Sequence, residues 1–112
     1  MRDEDRVRLG HMIGAAEDAM NFVAGRQRAE LDTNRMLVFA VVRAIAILGE
    51  AASKISEEAR SANGAIPWKA IIGMRNRLVH AYFDINTQTV WETVTVEIPE
   101  ILPLLKQLAA IK

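Results

Sequence analysis

Apolar side chains recur along most of this chain at alternating steps of four and three residues, the repeat of a helix with one buried face. Leu9, Ile13, Ala16, Met20 and Val23 set that rhythm over residues 3–24, Gly25 ends it, and residues 26–32 form a polar connection. Asp32 or Thr33 is placed to cap a second helix, in which Leu37, Val41, Ala44, Leu48, Ala51 and Ile55 repeat the spacing. Its small residues at 49–52 allow close approach of a neighbour. Ser61-Ala62-Asn63-Gly64 has turn chemistry, and Pro67 sits where a first helical turn tolerates it, so a third helix is expected over residues 68–83. After the break at residues 84–87, Val90, Val94, Ile98, Ile101, Leu105 and Leu108 form a last stripe. Thr93-Val94-Thr95-Val96 is β-branched and competes as a strand, but the helical stripe is longer. Pro99 and Pro103 each remove a backbone donor and should kink or split that helix. The expectation is an all-α, antiparallel up-down four-helix bundle forming one domain over residues 1–112.

The length suits a single core, and apolar residues make up 51% of the chain, which excludes disorder. The absence of cysteine removes disulfides and thiolate chemistry. A charged start and no secretory apolar region give a cytoplasmic location as the expectation. The most apolar run, residues 36–48, is interrupted by Arg43 and falls short of the roughly 20 residues that span a bilayer, so it reads as a core helix. Acids and bases cancel, which argues against coating nucleic acid by bulk charge. Their distribution is uneven, however. No carboxylate lies between Glu58 and Asp84, whereas Arg60, Lys69, Arg75, Arg77 and His80 all do, a pattern that suits a local phosphate site.

On a straight third helix, at about 100° per residue, Trp68, Ile71, Ile72, Leu78, Val79, Tyr82 and Phe83 share an apolar arc with Arg75 at its middle. A guanidinium there needs an anionic partner or an interface that leaves it wet. Tyr82, seven residues on, shares its face. Asn76, four residues before His80, is spaced to orient the imidazole. Arg75 and His80 diverge by about 140° on such a helix and converge poorly within one chain.

The run Gly73-Met74-Arg75-Asn76-Arg77-Leu78-Val79-His80-Ala81-Tyr82 resembles the signature of HEPN-domain ribonucleases, an Arg, a polar residue, three more residues and a His. The added Ala-Tyr is similar to the HepT toxin branch, as are residues 47–52, Ile66-Pro67-Trp68 and Val90-Trp91, so the likeness spans essentially the whole chain. It implies a HEPN-like helical homodimer in which two copies of the motif meet in an interface cleft, bringing His80 beside Arg75. The implied activity is metal-independent RNA cleavage: the ribose 2′-hydroxyl attacks the adjacent phosphorus and a cyclic phosphate forms. His80 suits the proton transfer, Arg75 the charge at phosphorus, and Asn76 would hold His80 or a phosphate oxygen. Arg77 and Lys69 are expected to contact the RNA backbone. Tyr82 is the implied target of an MntA-like nucleotidyltransferase antitoxin that attaches AMP and so blocks the phosphate site.

No cofactor is implied. His11 and His80, the two histidines, fall in no metal-binding spacing, so no metal site is expected. A rival of a different class is a non-catalytic helical adaptor that binds a nucleotidyltransferase or a nucleotide, and a third reading is a degenerate toxin retained for assembly.

Overall fold

In the computed structural model, which describes residues 1–81 and 84–111, three long helical rods enclose the core and a run of short segments fills the fourth position. Helix α1 (Asp3–Val23) is followed by Gly25 at φ 72°, a left-handed conformation that glycine adopts without strain. The polar connection contains a single turn, α2 (Glu30–Thr33). The cap of the next helix is therefore neither Asp32 nor Thr33 but Asn34, whose side chain accepts from Leu37 N at 3.0 Å. Asp32 instead accepts from the Thr87 hydroxyl at 2.7 Å and pairs with Arg28, tying this connection to the last helix.

Helix α3 (Arg35–Lys54) is 20 residues long, enough by length and composition to cross a membrane. It is longer than the run read from the sequence, yet it is a core helix. Val41, Ile45, Leu48 and Ala52 are fully buried, and Arg43 and Glu50 mark its exposed side. It packs along α1, with Arg8 and His11 of α1 beside Ile47, Glu50 and Lys54 of α3, so the pair is antiparallel.

Beyond α3 the chain turns sharply. Ser56 caps α4 (Glu57–Ala62) through Ala59 N, and its own N–H and hydroxyl donate to Asp5 at 2.7 and 2.8 Å. Asp5, only 2% exposed, also accepts from Arg2 N at the start of α1. Burial alone would raise the Asp5 pKa, but these donors outweigh it and hold the carboxyl below the ordinary aspartate value.

The expected third helix is broken. It consists of α5 (Trp68–Ile72) and α6 (Met74–Leu78), joined at Gly73, and then passes into the strand β1 (Val79–Ala81). β1 pairs antiparallel with β2 (Asp84–Ile85), in register Val79 with Ile85. Asn86 N closes the hairpin by donating to Leu78 O at 2.7 Å, while its side chain accepts from Thr89 N to start α7 (Thr87–Glu92).

The close approach expected at residues 49–52 occurs between α3 and α5. A Cβ built on buried Gly49 would stand 3.0 Å from Ile71 O and 3.2 Å from Ile72 O, so backbone meets backbone there.

The final rod is helical throughout, which settles residues 93–96 against a strand. It is neither split nor uniform. Residues Thr93–Glu97 form a π-helical turn between α7 and α8 (Ile98–Ala109). Pro99 follows this turn and cannot donate to Thr95 O, and Pro103 sits within α8. The Thr93 and Thr95 hydroxyls bond back to Thr89 O and Trp91 O, satisfying carbonyls in the loosened region. Lys106 of α8 pairs with Glu17 of α1 at 3.2 Å, and the core runs continuously through Leu9, Met12, Leu48, Ile71, Leu78, Ile98 and Leu105.

Two consequences are measurable. Gly49→Ala should destabilise by about 1–2 kcal/mol, because overpacking against fixed carbonyls outweighs the helix-propensity gain. Gly10→Ala, where a Cβ meets nothing within 4 Å, should stabilise by about 0.5–1 kcal/mol in the same denaturant titration. For Asp5, the native pKa lies below the unfolded one, so its contribution is full above about pH 4 and drains as pH falls through the lowered native value. Asp5→Asn should therefore lower stability at neutral pH and flatten the acid limb of a stability-against-pH curve. An unchanged acid limb would refute this role.

Candidate active site on the broken third helix

The core-facing row decides what the motif presents. Through α5 and α6 it consists of Trp68, Ile71, Met74 and Leu78, so Met74 and not Arg75 takes the buried position. Ile72 and Val79, expected on the arc, are only half-buried. Arg75, Asn76 and Arg77 all face solvent, so Arg75 is not at the middle of a buried arc as the wheel expected. Among the described residues Arg75 has no carboxylate within 4 Å. Its Nη1 donates to Asn76 Oδ1 at 3.4 Å, a long and exposed bond.

His80 is not helical. Val79 takes φ −125° and ψ 112°, extended values that suit its β-branched side chain, and the strand's alternation leaves His80 exposed between half-buried Val79 and Ala81. The 140° divergence from Arg75 therefore does not apply. The helical i,i+4 relation through which Asn76 was expected to orient the imidazole is lost as well, and Asn76 meets Arg75 instead. Tyr82, with its expected position on the face of Arg75, lies outside the described residues, as does Phe83.

Lys69 is exposed on α5. Arg77 differs from its neighbours. Its Nη1 pairs with Glu97 Oε1 at 3.3 Å and its Nη2 donates to Ala70 O at 3.2 Å. The stretch without carboxylates in sequence is thus not free of them in space, because the π turn supplies Glu97. Glu97 lies 3.2 Å from the hydroxyl of buried Thr93, whose proton has a shorter bond available to Thr89 O at 2.8 Å. Sequence reasoning missed Glu97, since nothing in a linear reading relates it to Arg77 twenty residues away. The break was more accessible: Gly73 between Ile72 and Met74, and Val79 ahead of His80, are the local signals. Among the described residues, no three His, Asp or Glu groups gather to hold a metal ion.

Arg75 and Asn76 on the short helix α6, and His80 two residues beyond its end, are therefore all exposed, and Arg75 and Asn76 are in contact. Comparison with known proteins gives these residues their context. The family described as "Ribonuclease HepT-like" matches residues 12–108, and the chain belongs to that family. It is 41% identical over 85 residues to "Putative RNase MJ1216" of Methanocaldococcus jannaschii, covering 76% of this chain and 70% of the relative. It is 35% identical over 100 residues, 89% of each chain, to "Putative RNase TTE0752" of Caldanaerobacter subterraneus subsp. tengcongensis. A shorter match, 40% over 63 residues, covers 56% of this chain and 57% of "Probable ribonuclease HepT" from Thermococcus cleftensis. No solved structure matches the chain significantly.

Proposed function

We propose that this chain is a metal-independent endoribonuclease of the toxin kind, working as a homodimer in the cytoplasm, with Arg75, Asn76 and His80 at the site of cleavage. The observation that carries the reading is the exposed Arg75, which has no carboxylate within 4 Å among the described residues and is available to a phosphate. Family membership and the names of the relatives support RNA as the substrate.

In the proposed reaction the 2′-hydroxyl attacks the neighbouring phosphorus while the bond from phosphorus to the 5′ oxygen breaks. The 2′ proton leaves to a base, a proton reaches the departing 5′ oxygen, and the products are a cyclic phosphate and a free 5′-hydroxyl. His80 is assigned the proton transfer, and its exposed position on β1 supports that assignment. Arg75 is assigned the charge that builds on the phosphoryl oxygens. Asn76, beside Arg75, holds that guanidinium or a phosphate oxygen. A second copy of the chain completes the cleft by placing its own motif opposite.

Regulation is proposed to run through Tyr82, two residues after His80 in sequence. An AMP group attached there by an MntA-like nucleotidyltransferase would add negative charge to the motif and repel RNA.

Purified protein should cleave single-stranded RNA in EDTA and leave DNA intact. His80→Ala should lower the rate by ~10²-fold or more and Arg75→Ala by ~10²-fold. Wild type and His80→Ala equally inert, with a nucleotidyltransferase bound by both, would establish the adaptor instead. Co-expression with an MntA-like nucleotidyltransferase should add whole adenylate increments to the intact mass, and Tyr82→Phe should abolish them. An increment that survives Tyr82→Phe places the modification elsewhere.

A further inference from the structure

Beside α5 runs an open groove of about 690 Å³, lined by Ile66, Pro67, Trp68, Lys69, Ala70 and Arg77. Its floor is apolar and the charges on its lining are cationic. Trp68 is 8% exposed, and its indole N–H is already committed to Asn63 O at 3.0 Å, so toward the groove it offers apolar surface and no donor.

Arg77 forms one wall, and the two bonds that hold it decide what it can do. Glu97 and Ala70 O each accept one N–H, from Nη1 and Nη2, and Glu97 also offsets the charge. A guanidinium built to grip phosphate keeps its N–H fork free. Here the fork is engaged at its edge, which fixes the plane and leaves the faces. Nucleobases stack on arginine planes, and single-stranded RNA is recognised by such stacking. Lys69 is in the opposite situation: exposed on the groove rim and, among the described residues, without a carboxylate within 4 Å, it suits a phosphate.

We propose that this groove is a nucleobase subsite for the RNA strand whose reacting phosphate lies at Arg75, with Arg77 as a stacking wall and Lys69 on an adjacent phosphate. The proposal rests on the ribonuclease reading and revises the expectation that Arg77 grips the backbone. Charge supports RNA as the occupant, since Lys69 and Arg77 both line the groove, while Arg75, two residues from Arg77 on α6, faces a different side of that helix, so the strand must cross α6 to reach both.

The test measures binding in the His80→Ala chain, so that RNA stays intact. Fluorescence anisotropy compares a labelled single-stranded RNA with the same backbone lacking bases, over a range of salt. The chain should prefer intact over abasic RNA by at least about fivefold. Arg77→Lys, which keeps the charge and removes the plane, should erase that preference without changing the salt dependence. Glu97→Gln, which frees the guanidinium, should reduce the preference. Lys69→Gln should weaken both RNAs and lower the salt slope by about one contact.

The proposal is overturned if no base preference exists, or if it survives Arg77→Lys. It is also overturned if Glu97→Gln tightens intact and abasic RNA equally with a steeper salt slope, the behaviour of a phosphate contact released from a competitor. A change in oligomeric mass with Arg77→Lys at unchanged thermal stability would show a subunit contact instead. Because cleavage is not needed, an inert wild type that keeps its base preference defeats the nuclease reading alone. An active enzyme with no base preference defeats this subsite alone.

Discussion

The backbone of α3 at Gly49 lies against the carbonyls that end α5, and the geometry of the motif depends on that contact. The absence of a side chain at 49 lets two helices meet at a separation that a single methyl would contest, with 3.0 Å to Ile71 O. The contact seats the end of α5 on α3 immediately before Gly73 and α6. Beyond it, Leu78 is fully buried while Arg75, Asn76 and Arg77 are all exposed. A close-packed core transmits such constraints over several residues because it has little free volume in which to absorb them.

Electrostatically the same short helix carries two unlike arginines. Arg77 is held by Glu97 and by the carbonyl of Ala70 and belongs to the framework. Arg75 touches only an asparagine, over a long and exposed bond. Exposed ion pairs of the Arg77 kind contribute at most about 1 kcal/mol, so the pair matters more for holding an orientation than for stability. An immobilised cation and a free one thus stand two residues apart on one short helix.

The sequence made the rods legible and the joints obscure. The spacing of Leu37, Val41, Ala44 and Leu48 was sufficient to place α3, because periodic burial over many residues leaves few alternatives. The final rod was legible for the same reason, despite its β-branched Thr93-Val94-Thr95-Val96 stretch. The third helix was misread because its apolar residues continue at helical spacing through Gly73 and beyond Leu78. Local signals as small as one glycine and one β-branched valine had to outweigh that pattern, and only tertiary packing against Gly49 and the hairpin bond from Asn86 to Leu78 gives them weight. The order of Arg75, Asn76 and His80 in the chain singles them out as candidates. Their exposure was not legible, because the wheel placed Arg75 at the middle of an apolar arc, whereas Met74 takes the buried position. Likewise Asp32 looked like a cap and serves as a tether to Thr87, a partner no local pattern could name.

The wide turn at Thr93–Glu97 has a mechanical meaning. Turns of this kind accommodate one additional residue within an otherwise regular helix. Upstream of it, α7 packs on α3 and α6, near the motif; downstream, α8 packs on α1. The surplus residue lets each portion choose its own rotational phase, as a slip joint lets two lengths of shaft be set at different angles. Substitutions that reseat α8 against α1 can thus be absorbed before they reach α6, which insulates the motif from drift at the far end of the molecule.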